Sequence, residues 1–119
     1  MLNTVLTGQA TDKTPLLIVH GLFGSARNWG VIAKRMSADR QVISVDMRNH
    51  GTSFRSNSMT YANMADDLAE VLQTYGAPAS DGGTHVLGHS MGGKATMMLA
   101  LTHPELVKSL IVADISPVA

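Results

Sequence analysis

A serine between two glycines is the strongest chemical signal in this 119-residue sequence. Ser90 stands at the centre of the run GHSMG at residues 88–92, which follows a short apolar segment and opens a helical pattern. On a sharp turn from strand to helix, glycines two residues away on each side keep the two elements from colliding. The N-terminus of the helix adds partial positive charge and free N–H groups beside the hydroxyl. The motif predicts Ser90 as a nucleophile that accepts an acyl group, and a chance match in a glycine-containing turn is the alternative.

A second glycine-containing run, HGLFG at residues 20–24, directly follows another apolar segment. A nucleophile that attacks a carbonyl group needs two N–H donors aimed at the oxyanion that forms. We expect one donor to be the N–H of Met91, directly after Ser90. The second donor is expected to be Leu22, with Phe23 as the alternative, because glycines let this backbone approach a substrate closely. An ordinary strand-to-helix turn is the other interpretation of the run.

A third run, DMRNHGTS at residues 46–53, also stands at the end of an apolar segment. Ligands of open parallel sheets bind at the carboxyl ends of the strands, so this run could contact a substrate. The interpretation we favour is structural. In it, Arg48 and His50 fix this loop beside Ser90, and His20 supports the neighbouring loop.

Short apolar segments alternate with helical patterns along the chain. The segments are too short for helices and apolar on both faces, which is typical of strands in a covered parallel sheet; they lie at residues 16–20, 42–46, 85–88 and 110–113. A weaker run at residues 4–6 is a candidate antiparallel edge strand. Helical spacing of apolar residues predicts helices at residues 29–36, 61–75 and 91–102, with Thr60 capping the second and Pro104 ending the third. The order predicts an α/β fold, a mostly parallel sheet with helices on both faces.

Composition excludes several classes of function. The formal net charge is zero, which favours neither nucleic acid nor an anionic membrane as a partner. The absence of cysteine excludes disulfides and thiolate sites, and neither metal-ligand spacing nor a phosphate-binding loop occurs, so we expect no metal and no cofactor. Residues 1–9 do not have the pattern of a signal peptide, and no apolar run is long enough to span a membrane. We therefore expect a cytoplasmic protein that acts on a small molecule.

Four stretches together resemble a known family. They are HGLFGS at residues 20–25, VDMRNHG at 45–51, GHSMGGK at 88–94 and DISPV at 114–118. In this order they are similar to the small bacterial acyl-CoA and short-chain carboxylesterases of the α/β-hydrolase superfamily and to their mitochondrial abhydrolase relatives. The resemblance implies a serine esterase or thioesterase without a cofactor. It also implies that Asp114 is the acid of a catalytic triad, although an aspartate after a strand is by itself more often a turn residue.

The triad of this superfamily runs in the order serine, acid, histidine, and no histidine follows Asp114 in this sequence. Residues 1–119 are therefore interpreted as the N-terminal part of a single α/β-hydrolase domain, without the cap and the histidine-bearing part. Two alternatives stay open: a non-catalytic fragment of such an esterase, and a carbon–carbon bond hydrolase on the same scaffold. The strand at residues 110–113 would form an open edge, which predicts self-association.

Overall fold

The computed structural model describes residues 1–113. One sheet and three α-helices follow each other in the order β-β-α-β-α-β-α-β: β1 (Thr4–Thr7), β2 (Leu16–Val19), α1 (Gly30–Met36), β3 (Val42–Val45), α2 (Tyr61–Tyr75), β4 (Thr84–His89), α3 (Met91–Thr102) and β5 (Val107–Ala113). Short 3₁₀ turns precede α1, β4 and β5, at Ala26–Trp29, Ala79–Asp81 and Pro104–Leu106. The predicted order of elements is confirmed.

The five strands lie in the spatial order β1-β3-β2-β4-β5. Strand β1 pairs antiparallel with β3, and the other three pairings are parallel. The sheet is therefore mostly parallel with one antiparallel strand at its edge, as predicted. The carboxyl ends of β2, β3 and β4 meet at one edge of the sheet, and this edge positions the loops that carry the three motifs.

Both faces of the sheet are covered by helices, because side chains of a strand alternate between the faces. Leu17 and Val19 of β2 belong to the larger core, which α2 and α3 cover. Leu16 and Ile18 belong to a smaller core on the opposite face, where Ala33 of α1 packs. The prediction of helices on both faces is confirmed.

Several boundaries differ from the prediction by one residue, and the start and the burial pattern of β5 differ more. A 3₁₀ turn occupies Ala26–Trp29, so the first α-helix starts one residue later than expected, at Gly30. Strand β5 starts at Val107, three residues before the predicted segment. None of its residues is buried, and Ile111 is 61% exposed. Val107 and Leu110 pack against the larger core, but Ile111 on the opposite face is exposed, so the expectation that both faces of this strand are covered is wrong.

Helix α3 is the most buried helix, as its almost uniformly apolar sequence predicts. Six of its twelve residues are buried. Helix α2 begins where predicted, with the Thr60 hydroxyl accepting the Asn63 N–H at 3.1 Å. Within residues 1–113, none of the helices has the length and apolar character needed to cross a membrane.

Candidate active site

Ser90 forms the whole turn between β4, which ends at His89, and α3, which starts at Met91. Its backbone has φ 55° and ψ −118°, a conformation that residues with a side chain rarely adopt. Two other non-glycine residues among the described ones have positive φ, Phe23 and Asn49, and they lie in the loops after β2 and β3. Strained backbone clusters at functional sites, and here it occurs in all three loops at one edge of the sheet.

The glycines around Ser90 are required by close packing. A Cβ atom at Gly88 would lie 2.7 Å from the Gly93 Cα and would collide with the Thr96 hydroxyl. A Cβ atom at Gly92 would collide with the backbone oxygens of Val19 and His20 at the end of β2. The turn therefore holds α3 directly against both β4 and β2.

The loop after β2 lies against Ser90. A Cβ atom at Gly21 would be 3.1 Å from the Cβ of Ser90 and 3.0 Å from the Nδ1 of His89. The structure thus brings the HGLFG run and the GHSMG run together. Ser90 also contacts the last described residue of β5, since its N–H donates to the Ala113 carbonyl at 3.2 Å.

The two candidate oxyanion donors in this loop differ in their hydrogen bonds. The N–H of Phe23 donates to the Nε2 of His50 at 3.0 Å. For the N–H of Leu22, no acceptor is found within residues 1–113. Met91 is the first residue of α3, where N–H groups have no partner inside the helix.

Two buried histidines connect the loops after β2 and β3. The Nδ1 of His20 lies 2.7 Å from the Gly21 carbonyl, and that of His50 lies 2.9 Å from the Arg48 carbonyl. A carbonyl only accepts, so in each ring Nδ1 carries the proton and Nε2 is an acceptor. The Nε2 of His20 accepts the Met47 N–H at 2.9 Å, just as that of His50 accepts the Phe23 N–H. Burial lowers the pKa of His20 below its ordinary value of 6.5, and the Gly21 hydrogen bond offsets only part of this.

Asp46, the first residue after β3, joins three segments of the chain. Its carboxylate accepts the Ala26 N–H at 2.9 Å, the side-chain amide of Asn3 at 2.9 Å and the Thr52 N–H at 3.1 Å. Burial by itself would raise the pKa of Asp46, but these hydrogen bonds outweigh it and the pKa lies below its usual value. The carboxylate is therefore charged at neutral pH, and it is fixed as a structural group.

Arg48 connects the loop after β3 to helix α2. Its guanidinium donates two hydrogen bonds to Asp67, at 2.6 and 2.9 Å, and a third to the Ser58 carbonyl at 2.7 Å. It also lies over the ring of Phe54, 5.2 Å from the ring centre. Hydrogen bonding to Asp67 raises the pKa of Arg48. The apolar spacing along α2 would place Asp67 on the solvent side of the helix, but its carboxylate turns inward to the arginine.

The other three histidines lie elsewhere on the elements around Ser90. His85 lies about 16 Å from Ser90 along β4, where its ring bonds the Ser109 hydroxyl at 2.6 Å. His103 follows α3, about 18 Å along a helix of this length. The ring of His89 packs edge-on against Trp29, with centres 5.5 Å apart. Asp114, the acid implied by the resemblance, lies outside the described residues.

A pocket of about 300 Å³ opens beside the loop after β2. Its walls include Gly21, Leu22, Trp29, Ile32 and His89. Most of this lining is apolar, and Leu22 and Ile32 are about half exposed at the rim. Among residues 1–113, no three or more histidine or acidic side chains come together as a metal site would require.

Comparison with known proteins gives consistent matches. Residues 14–119 match a family profile described as the alpha/beta hydrolase fold. Esterase YbfF of Escherichia coli is 45% identical over 107 residues, which are 90% of this chain and 41% of that protein. The sn-1-specific diacylglycerol lipase ABHD11 of Danio rerio is 45% identical over 108 residues, 89% of this chain and 33% of that protein.

The fold matches solved structures as well. A structure described as a marine microorganism esterase superposes with a TM-score of 0.86 at 41% identity, covering 98% of this chain and 42% of that one. The chain thus spans between 33% and 42% of the length of these three proteins.

Proposed function

Because the chain belongs to the alpha/beta hydrolase fold family, whose members similar to it are named esterases and lipases, we propose that it carries the nucleophile and the oxyanion-binding loop of a serine hydrolase. The bonds cleaved are carboxylic esters or acyl thioesters. The observation that carries the proposal is the strained turn at Ser90, with φ 55°, against which the loop at Gly21 packs.

The proposed reaction has two steps. The Ser90 hydroxyl oxygen attacks the carbonyl carbon and its proton passes to a general base, which leaves a tetrahedral oxyanion. Collapse expels the alcohol or thiol, which takes up a proton, and leaves the acyl group on Ser90. Water then attacks the acyl-enzyme by the same route and releases the acid.

The N–H groups of Leu22 and Met91 are the proposed oxyanion donors. Phe23 is the weaker choice, because its N–H already donates to His50. Removal of one such donor in other serine hydrolases costs about 10²–10³ in rate, so the identity of the second donor matters for turnover.

Asp114 is the proposed triad acid, and it follows Ala113, whose carbonyl accepts the Ser90 N–H. The general base is proposed to be a histidine supplied by sequence beyond residues 1–119. His20 and His50 are unsuited to this task because both nitrogens of each ring already hold the loops together. The same observation supports the alternative that residues 1–119 by themselves form a non-catalytic unit.

The names of relatives and the pocket next to Leu22 support an apolar acyl ester as the substrate class. One relative is named an esterase and another an sn-1-specific diacylglycerol lipase. The pocket of about 300 Å³ beside Gly21 and Leu22 offers an apolar surface next to the proposed oxyanion donors. A cytoplasmic location stays a prediction of the sequence.

A fluorophosphonate probe tests the proposal, because it phosphonylates only serines that are held in an assembled site. We expect one probe adduct in the intact mass of the chain, no adduct in Ser90→Ala, and an unchanged adduct in Ser80→Ala, a matched control on an exposed turn. Circular dichroism melting of all three proteins establishes that they are folded. No adduct on a folded wild-type chain would favour the alternative that residues 1–119 by themselves are non-catalytic, because Ser90 then lacks its base. An adduct that persists in Ser90→Ala would contradict the assignment.

A further inference from the structure

A second cavity lies on the other side of the Ala26–Trp29 turn and helix α1. It is a groove of about 500 Å³ between α1 and the edge strand β1. Val5, Ala26 and Ala33 contribute apolar walls. The pocket beside Leu22 is lined by different residues of the same helical segment, Trp29 and Ile32, so the two cavities are separate. We call this cavity the Ser44 groove.

The floor of the Ser44 groove carries an unsatisfied hydroxyl. Ser44 lies on β3 between Val5 of β1 and Ile18 of β2, and it is 3% exposed. Within residues 1–113, its Oγ is the one buried side-chain oxygen or nitrogen without a hydrogen-bond partner. A buried hydroxyl without a partner destabilises the fold unless something occupies the space beside it. The neighbouring space is far larger than one water, whose share of liquid volume is about 30 Å³.

The charges around the groove favour a neutral occupant. Asp46 and Arg27 both line it and carry opposite charges. The carboxylate of Asp46 is already saturated by hydrogen bonds from Asn3, Ala26 and Thr52, so it offers little to a cation. An anion drawn to the guanidinium of Arg27 would enter the field of that same carboxylate.

From these observations we infer that the Ser44 groove is a binding site for a small neutral alcohol, separate from the site at Ser90. The apolar body of the ligand lies along Val5, Ala26 and Ala33. Its single hydroxyl forms one hydrogen bond with the Ser44 hydroxyl, as donor or as acceptor, so that the buried oxygen gains its missing partner. The inference does not depend on the function proposed for Ser90.

Gly30 provides a way to close the groove without disturbing the fold. It lies in the helical region with φ −57°, and a Cβ atom there meets nothing within 4 Å. A large side chain at this position therefore extends into the open space of the groove. Ser44→Ala removes the hydroxyl and leaves the apolar walls unchanged.

The test is an NMR titration that follows backbone amide shifts of the 119-residue chain with benzyl alcohol, toluene and benzoate as probes. We expect benzyl alcohol to shift the amides of Val5, Ala33 and Ser44 in a saturable manner, and to bind more tightly than toluene or benzoate. Ser44→Ala is expected to bind benzyl alcohol about two- to tenfold more weakly, because it lacks one neutral hydrogen bond, and to bind toluene with unchanged affinity. Gly30→Phe is expected to abolish binding of both.

Other results would overturn the inference. If none of the probes shifts these amides, the groove holds only water. Equal affinity for toluene and benzyl alcohol, or equal affinity of wild type and Ser44→Ala for benzyl alcohol, would show that the hydroxyl plays no part. Tighter binding of benzoate would identify an anion site, and unchanged binding in Gly30→Phe would place the probe elsewhere.

Discussion

His20 and His50 hold the loops around Ser90 together through their ring nitrogens. In each ring the Nε2 accepts a backbone N–H, from Met47 and Phe23 respectively. A proton on the Nε2 of His20 would turn this acceptor into a donor that faces another donor. The Phe23 contact with His50 fixes the loop that carries Leu22, so the proposed oxyanion donor depends on a histidine that takes no part in the reaction.

Stability is predicted to fall with pH below the ordinary histidine pKa. Burial lowers the pKa of His20 in the folded chain below its ordinary value of 6.5, so the unfolded chain takes up a proton first as the pH falls. The contribution of neutral His20 to the free energy of unfolding is therefore complete above pH 6.5. As the pH falls from 6.5 towards the lowered pKa of His20, the free energy of unfolding decreases by up to about 1.4 kcal/mol per pH unit. Urea unfolding at pH 7.5, 6.0 and 5.0 measures this slope.

The control for this prediction is His20→Gln, whose Oε1 can accept the Met47 N–H but does not titrate. Its unfolding free energy is expected to be lower at pH 7.5 and to depend less on pH. The residual slope includes His85, whose pKa is also lowered by burial and by Arg40 and Lys108. An equally steep slope in His20→Gln would show that His20 is not the group responsible.

At the scale of elements, the Arg48–Asp67 pair joins the loop after β3 to helix α2. Both side chains are nearly buried, with 11% and 13% of their surface exposed. Asp67→Asn leaves the guanidinium without its counter-charge, which costs about 2–4 kcal/mol for a pair of this burial. Asp66→Asn, one residue earlier and exposed, is the matched control and is expected to change stability by less than about 0.5 kcal/mol. Chemical denaturation of the three proteins compares these values, and equal stability of Asp67→Asn and Asp66→Asn would refute the role of the pair.

This pair also shows which part of the structure the sequence could not predict. Helical spacing correctly predicts α2, because it depends on an apolar stripe that repeats along the chain. The same spacing assigns Asp67 to solvent, since it contains no information about an arginine nineteen residues away. The start of β5 was missed for a related reason: Lys108 and Ser109 are polar and exposed, so an apolar run does not include them.

At the scale of the whole molecule, local motifs and long-range contacts differ in how far they can be predicted. The turn at Ser90 and its glycines follow from five consecutive residues, and the structure places the loop at Gly21 against them. The connections through Asp46 combine Asn3, Ala26 and Thr52, residues that no spacing in the sequence relates. The roles of Ser90, Leu22, Met91 and Asp114 stay predictions, and the probe experiment tests that of Ser90.

Strand β5 leaves one edge of the sheet open. It pairs with β4 on one side, and within residues 1–113 no strand pairs with its other side. Ile111 on β5 and Leu101 on the neighbouring helix α3 are 61% and 79% exposed. An edge strand of seven residues with apolar side chains is a template for pairing with a second chain.

The chain is therefore predicted to self-associate through β5. Size-exclusion chromatography with light scattering is expected to show dimers or larger species at micromolar concentration. Ile111→Lys places a charge on the open strand, where a partner strand would have to desolvate it, and is expected to shift the distribution to monomer. Val31→Lys adds the same charge at a 71% exposed position on α1 and is expected to leave the distribution unchanged. A sharp monomeric peak for the wild-type chain would mean that the open edge is protected by other means. The same shift to monomer with Val31→Lys would mean that net charge alone controls association.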